Sequence, residues 1–153
     1  MRHQSLASLP DAQARAERVA AVMLKNDKAA AAQGIGLISI APGAATMTLT
    51  VQEHHLNGHA ICHGGIIFTL ADTAFAFACN SYNQIAVAHH NTISFLKPVQ
   101  QGETLTASAT ETARDGRNGI YDVVVTSDSG ETVAHFRGCS RLISGRHFDE
   151  ESP

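Results

Sequence analysis

The chain has 153 residues, of which 44% are hydrophobic and 16% are charged, and its formal net charge is −3. This length is typical of a single domain that buries roughly 70% of its unfolded surface, and the composition excludes an intrinsically disordered chain. Acidic residues outnumber Lys and Arg by 14 to 11, which disfavours a generic nucleic-acid-binding surface. We therefore predict one globular domain over residues 1–153, without a nucleic acid partner.

The cysteines and the apolar segments indicate the compartment. Cys62, Cys79 and Cys139 form no CxxC pair, a usage that fits a reduced cytosol better than a disulfide scaffold. The N-terminus leads into a polar segment and lacks the apolar run of a signal peptide. Residues 64–82 are apolar, but Asp72 near their middle would cost about 2.5–3.5 kcal/mol inside a membrane. We expect a cytoplasmic protein that does not enter the membrane.

Hydrophobic periodicity and turn residues divide the chain into three helices and six strands. The N-terminal helical segment covers residues 11–33, with helices at 11–24 and 28–33. Strands are predicted at 35–41 and 44–52, a loop at 54–63, and a strongly apolar central helix at about 65–81. Alternating strands follow at 85–96, 103–114, 120–127 and 131–143, and the acidic tail at 146–153 is predicted to be flexible.

Six strands with short links require a mainly antiparallel sheet. The apolar helix between the second and third strands gives that sheet a surface to enclose. The predicted fold class is α+β, with a curved antiparallel sheet of five to six strands wrapped around a central helix.

Charge is nearly absent from the middle of the chain. The 43 residues between Glu53 and Lys97 carry one formal charge, Asp72, where the average of the chain would place about seven. Burying a carboxylate without a hydrogen-bonding partner is costly, so its position needs an explanation. It could face solvent or accept hydrogen bonds from Thr69 or Thr73, or it could be a general base or nucleophile whose pKa is raised by its surroundings.

A pair of glycines, Gly64 and Gly65, opens the same helix. Glycine lets a backbone approach a ligand closely, and the first N–H groups of a helix have no internal acceptor. Such N–H groups can stabilise the oxyanion that forms at a reacting carbonyl. Gly64 and Asp72 are eight residues apart, or about 12 Å along a helix. Because a base must come within about 3 Å of its target, we predict a dimer in which Asp72 meets the Gly64 or Gly65 amide of a second subunit.

Histidines offer a competing interpretation. Five potential metal ligands lie in one loop: His54, His55, His59, Cys62 and His63. Their spacing matches no zinc signature, so no metal site is predicted. His89 and His90 follow on a strand, where one of the two must face the layer that contacts the central helix, and could line a pocket.

Four motifs carry a resemblance to a known family: HLNGH at 55–59, CHGG at 62–65, FTLADTAFA at 68–76 and ACNS at 78–81. They closely resemble the hot-dog-fold acyl-CoA thioesterases, and among these the PaaI type of phenylacetate degradation. The likeness extends over most of the chain, from the helix at Asn26-Asp27 to residues 136–138.

The resemblance implies homodimers, and usually homotetramers, that hydrolyse acyl-CoA. It implies that the Gly64 amide polarises the thioester carbonyl and that Asp72 is supplied by the partner subunit. By the same resemblance, Asn57 positions water or substrate and His63 flanks the oxyanion site. The implied substrates are aromatic or medium-chain acyl-CoA thioesters, notably ring-hydroxylated phenylacetyl-CoA. Coenzyme A is part of the substrate, and no cofactor is expected.

A thioester is already electrophilic and its thiolate leaves readily, so one oxyanion donor and one carboxylate could suffice. Asp72 would deprotonate water or attack the carbonyl itself, and the sequence leaves both roles open. Cations should receive the CoA phosphates, and Lys97 is one candidate. The other predicted substrate-binding residues are Gly65, Thr73, His89, His90, Arg114 and Arg117.

Three alternatives compete with hydrolysis. An enoyl-CoA hydratase or dehydratase of the same fold would pair His59 or His63 with Asp72. A non-catalytic acyl-CoA-binding sensor would need an output module, which the sequence does not suggest. A metal-binding protein would use the histidine-rich loop.

Overall fold

The computed structural model describes residues 10–150, with side chains from residue 12 onward. The helices are α1 (Pro10–Asn26), α2 (Lys28–Gln33) and α3 (Gly64–Asn80), and a 3₁₀ turn covers Glu53–His55. The strands are β1 (Gly36–Ala41), β2 (Ala44–Thr50), β3 (Ala86–Phe95), β4 (Thr104–Asp115), β5 (Asn118–Thr126) and β6 (Thr132–Leu142).

The six strands form one sheet in the order β1-β2-β4-β5-β6-β3, and every neighbouring pair is antiparallel. Helix α3 packs against the sheet and touches all six strands. The α+β class, the antiparallel sheet and the central helix are therefore confirmed.

Side-chain patterning explains this packing. Along β2, Met47 and Leu49 are buried while Thr46 and Thr48, which alternate with them, are partly exposed, as in a sheet with one face on a core. Helix α3 is apolar on nearly all sides, as expected of a buried helix. Its Phe75 packs edge-on against Tyr121 and beside Phe136, at ring-centroid distances of 5.7 and 5.8 Å. These aromatic contacts fix α3 on the sheet.

The two edges of the sheet differ. At the β1 edge, α1 packs alongside, and Gln13 Nε2 donates to the Ile40 carbonyl at 2.8 Å. At the opposite edge, β3 pairs only with β6. Val87 and Phe95 on β3 are 43% and 51% exposed. Within residues 10–150, no further strand pairs with this open edge.

The chain after β6 makes polar contacts with the rest of the domain as far as it is described. Asn83 Nδ2 donates to the Phe148 carbonyl and to Glu150 Oε2, at 3.0 and 2.8 Å. Arg15 pairs with Glu150 at 2.8 Å. Up to residue 150 these polar partners connect the acidic tail to α1 and to the segment after α3, and its flexibility stays a prediction. Residues 151–153 lie outside the described part of the chain.

Two simple features complete the fold. Within the described residues, no helix combines the length and hydrophobicity that a membrane crossing requires. Cys62, Cys79 and Cys139 are free thiols, the first two buried. Burial raises the pKa of the Cys62 thiol to about 11 and that of Cys79 to about 12, so both are neutral near pH 7.

Candidate active site

The N-terminus of α3 distinguishes the two glycines that the sequence could not separate. His63 is the N-cap, and its Nδ1 accepts the Gly65 N–H at 2.8 Å. The Ile66 N–H donates to the His63 carbonyl at 2.9 Å. The Gly64 N–H, by contrast, has no acceptor among residues 10–150. Only Gly64 is therefore free to offer an amide to a ligand, and the prediction for the amide of Gly65 is not supported.

A cavity of about 370 Å³ opens beside this free amide. Gly64, Asn57, Phe95 and Lys97 lie on its wall. A Cβ atom on Gly64 would lie 3.1 Å from Cζ of Phe95, so any other residue would press on that ring. The structure thus brings three predicted residues, Gly64, Asn57 and Lys97, to one place, together with Phe95, which the sequence had not singled out.

Asn57 shapes the loop that leads to this cavity. Its Oδ1 accepts the N–H groups of His59 and Ile61, at 2.8 and 3.3 Å. Its own N–H donates to the Ile61 carbonyl at 2.8 Å. These bonds leave the side-chain NH₂ group of Asn57 as the part that can contact a ligand.

Asp72 lies two turns further along α3 and is half-buried. Asn91 Nδ2 on β3 donates to Asp72 Oδ1 at 3.2 Å. Burial raises the pKa of the Asp72 carboxyl above its ordinary value, the bond from Asn91 lowers it, and Asp27 raises it further. A carboxyl with a raised pKa beside an edge strand has the character of a general base or nucleophile.

The structural alternative for Asp72 is a carboxyl that faces solvent or accepts hydrogen bonds from Thr69 or Thr73. Thr69 Oγ1 instead donates to the Gly65 carbonyl at 2.8 Å, and Thr73 Oγ1 donates to the Thr69 carbonyl at 2.6 Å. The threonine bonds are therefore not formed, because both hydroxyls bond to the helix backbone, and the Asp72 side chain itself is half-buried. The Thr73 side chain is buried at 7% exposure, which leaves its predicted contact with substrate without support from this geometry.

A β-bulge decides which residue of β3 faces the helix. The β3–β6 register shifts between Ala88 and His90, so His89 is the extra residue. His89 and His90 are both exposed, and the residue that bonds to α3 is Asn91. The expectation that a histidine must face the helix assumed a regular alternation, which the bulge interrupts. Asn91 is the side chain next to the two histidines that can donate a hydrogen bond to a carboxylate at any pH, and this property could have identified it from the sequence.

The predicted cations separate into two groups. Lys97 lines the cavity beside Gly64 and pairs with Glu131 at 2.7 Å. The Arg114 guanidinium lies 3.9 Å from the centre of the Tyr82 ring, just past the C-terminus of α3. Arg117 lies in the turn between β4 and β5. Because a 17-residue helix is about 25 Å long, the stacked Arg114 lies far from Gly64 within one chain.

The histidine-rich loop is held by its own hydrogen bonds. His55 is 1% exposed, and its Nδ1 accepts the Gln52 N–H at 2.9 Å. Across residues 10–150, no three His, Cys, Asp or Glu side chains come close enough together to hold a metal ion.

Comparison with known proteins identifies the family. The sequence profile of the Thioesterase superfamily matches residues 59–134. The acyl-coenzyme A thioesterase PaaI of Escherichia coli K12 is 49% identical over 123 residues, covering 80% of this chain and 88% of that protein.

Solved structures agree. The Escherichia coli PaaI protein of the phenylacetic acid degradation operon superposes with a TM-score of 0.86 at 46% identity, covering 88% of this chain and 97% of that one. A Streptococcus mutans UA159 protein solved with acetyl-CoA bound superposes with a TM-score of 0.71 at 27% identity, covering 73% and 90%. The chain therefore belongs to the thioesterase superfamily, as a thioester hydrolase with the hot-dog fold.

Proposed function

We propose that this enzyme is a cytoplasmic acyl-CoA thioesterase that hydrolyses aromatic acyl-CoA thioesters, with (hydroxy)phenylacetyl-CoA as the preferred substrate. One observation carries the proposal: the helix that offers the free Gly64 amide also bears Asp72, a half-buried carboxyl whose raised pKa suits a base. The E. coli relative named for acyl-CoA hydrolysis and the relative solved with acetyl-CoA support this substrate class.

The Gly64 amide would act on the thioester carbonyl. Its N–H lies at the positive end of the α3 dipole and would donate to the carbonyl oxygen as negative charge develops there. The neighbouring His63 would keep this N–H correctly placed, because its Nδ1 ties the next amide, that of Gly65, to the helix cap.

The carboxylate would have to come from a second subunit. Both groups lie on one unbroken helix, about 12 Å apart by its rise per residue, which is too far for both to reach one carbonyl. The open β3 edge supplies a surface for pairing, since a ten-residue strand with unpaired backbone groups and exposed Val87 and Phe95 is a template for another strand. We propose that two copies pair through β3, next to Asp72, and that these dimers associate into tetramers.

In the resulting site, Asp72 of the partner subunit would accept a proton from the attacking water, or would attack the carbonyl itself to give an anhydride that water then hydrolyses. In either route the C–S bond breaks and CoA leaves as the thiol. The proposal requires no cofactor.

The cavity beside Gly64 would receive the end of the substrate near the thioester. Phe95 offers an aromatic surface there, and Lys97 offers positive charge for a CoA phosphate. Arg114 and Arg117 would contact CoA only if the assembly brings them to the partner's site. Exposed on the β3 edge, His89 and His90 would lie between subunits, where they could influence the preferred acyl group.

A hydratase of the same fold would need a histidine beside the acid. Among the described residues, the side chain that bonds to Asp72 is Asn91, and His63 is engaged in capping α3. The 49% identity to the E. coli relative named an acyl-coenzyme A thioesterase favours hydrolysis over hydration.

The test is a hydrolysis screen over phenylacetyl-CoA, its ring-hydroxylated forms and straight-chain acyl-CoAs, with the released thiol measured by a thiol reagent. We expect the aromatic substrates to have the highest kcat/KM. An Asp72→Ala variant that keeps its fold should lose activity by about 10²–10⁴-fold. Full activity in that variant would overturn the mechanism, and a clear preference for straight chains would overturn the substrate assignment.

A further inference from the structure

We infer that Asn91 is a positioning residue for Asp72, whose side-chain amide holds the carboxylate in the orientation that hydrolysis requires; this rests on the function proposed above. Asn91 Nδ2 donates to Asp72 Oδ1 at 3.2 Å, across the gap between β3 and α3. With one carboxylate oxygen engaged, the second remains available to the reaction.

Backbone packing brings these two residues together. In the β3–β6 register, Asn91 lies opposite Gly138. A Cβ on Gly138 would come within 2.7 Å of the Phe75 ring, so the glycine allows α3 to lie close to this part of the sheet. Phe75 is three residues after Asp72, on a neighbouring part of the same helix face. The close approach at Gly138 therefore also places Asp72 within reach of the adjacent strand.

The other end of the Asn91 amide makes no comparable bond within the chain. Asn91 Oδ1 is buried and has no hydrogen-bond partner among residues 10–150. A leucine has a similar volume and no amide, so Asn91→Leu removes the bond to Asp72 without opening a large cavity. The bond that Asn91 does make is to the candidate catalytic carboxyl.

The surroundings of Asp72 explain why it needs this donor. Burial and the Asp27 carboxylate, from the turn between α1 and α2, both raise the pKa of Asp72, whereas the bond from Asn91 lowers it. The nearby Cys79 thiol on α3 has a pKa of about 12 and stays neutral, and the two histidines of β3 are exposed. Asn91 thus keeps Asp72 charged over a wider pH range than burial alone would allow.

The experiment compares Asn91→Leu with the parent enzyme over a range of pH. Hydrolysis needs charged Asp72, so loss of the donor should move the acid limb of kcat/KM to higher pH. On that limb we expect kcat/KM to fall about tenfold, while at the alkaline plateau it stays within about threefold of the parent. KM should change little, because Asn91 is proposed to contact Asp72 rather than the substrate.

A residue with a merely structural role would behave differently. An equal loss of activity at every pH, or an unmoved acid limb, would overturn the inference. Carbon-13 NMR titration of the Asp72 carboxyl gives a readout independent of turnover, and its pKa should be higher in Asn91→Leu.

The Asp72→Ala variant separates the two proposals. If it hydrolyses thioesters at the parental rate, the proposed role of Asp72 in hydrolysis fails, whereas the NMR titration still decides whether Asn91 acts on Asp72. If Asp72→Ala is inactive and Asn91→Leu leaves both the acid limb and the NMR titration unchanged, the role of Asn91 alone fails.

Discussion

The two ends of α3 differ in how their polar groups are hydrogen-bonded. At the N-terminus the Gly64 amide has no acceptor among the described residues and opens on a cavity of about 370 Å³. At the C-terminus, Ser81 Oγ donates to the Ala78 carbonyl at 2.7 Å and accepts the Gly43 N–H at 2.8 Å. Tyr82 and Tyr121 both donate to Glu111, at 3.0 and 2.9 Å.

The contrast shows where this fold leaves polar groups free. Every helix has unpaired groups at both ends, and side chains normally satisfy them. At the C-terminus of α3, side chains form a hydrogen-bonded network, whereas at the N-terminus the Gly64 N–H has no acceptor among the described residues. The difference predicts that substitutions at the N-terminus change catalysis with little effect on stability, and that substitutions at the C-terminus do the reverse.

The largest expected effect comes from removing the Gly64 N–H. Gly64→Pro deletes the donor at the first helical position, where proline is well tolerated, and His63 at ψ 135° already has the backbone conformation that precedes proline. We expect kcat to fall by about 10²–10³-fold, the loss typical of one oxyanion donor. Steady-state kinetics and thermal unfolding measure the two consequences separately.

Gly64→Ala is the matched control. It adds the same Cβ against Phe95 but keeps the N–H, so the difference between the two variants isolates the amide. If Ala and Pro reduced kcat equally, the steric contact with Phe95 would explain the loss, and the oxyanion role would be refuted.

Mixing subunits tests whether the Gly64 amide of one subunit and Asp72 of the other form one active site. In a heterodimer of Asp72→Ala and Gly64→Pro chains, one site carries both defects and the other carries neither. We expect verified heterodimers to recover about half of the parental activity, from two nearly inactive parents. Absence of recovery in such heterodimers would count against sites shared between subunits.

The cations test which end of α3 receives the CoA phosphates. Lys97→Met removes a charge at the cavity, and Arg114→Met removes one that stacks on Tyr82 past the other end. We expect Lys97→Met to raise KM for acyl-CoA by about three- to tenfold, in line with the loss of one charge-assisted contact. Arg114→Met should change KM by less than twofold, and the same variants assayed with a truncated thioester lacking the phosphates should not differ. A larger effect at Arg114 would place CoA at the partner's site.

Local sequence predicted the parts of the site that lie on one helix. Asp72 stands out because it is the one formal charge in 43 residues, and Gly64 because paired glycines open an apolar helix. The sequence could not tell whether Gly64 or Gly65 offers the free amide. That depends on the His63 side-chain rotamer, which lets Nδ1 accept the Gly65 N–H. Asn91 and Phe95 were missed because the bulge at His89 resets the alternation of β3, and a bulge is set by pairing with β6.

The contacts of the C-terminal tail show that local sequence also fails to predict long-range contacts in the fold. The order of the elements and the antiparallel sense of the sheet followed from alternation and turn residues, which act over a few positions. The binding of residues 147–150 depends on Asn83, more than sixty positions earlier, and on Arg15 in α1. Composition indicates how well a segment is solvated, but it does not show that distant polar side chains are placed to receive it.

The smallest expected effect on rate comes with a large effect on stability, at the C-terminus of α3. Asn80 is 4% exposed, donates to the Ala86 carbonyl at 3.2 Å and accepts the Ala86 N–H at 2.9 Å. Asn80→Ala leaves both groups of Ala86 without a partner, and we expect a loss of about 2–4 kcal/mol in the free energy of unfolding. The same substitution at exposed Asn118 should stay within about 0.5 kcal/mol. Denaturant unfolding measures both, and kcat per folded enzyme should not change in either. Asn80 lies some 24 Å along the helix from Gly64. A fall in kcat for folded Asn80→Ala enzyme would therefore mean that the C-terminus of α3 is coupled to the site at its N-terminus.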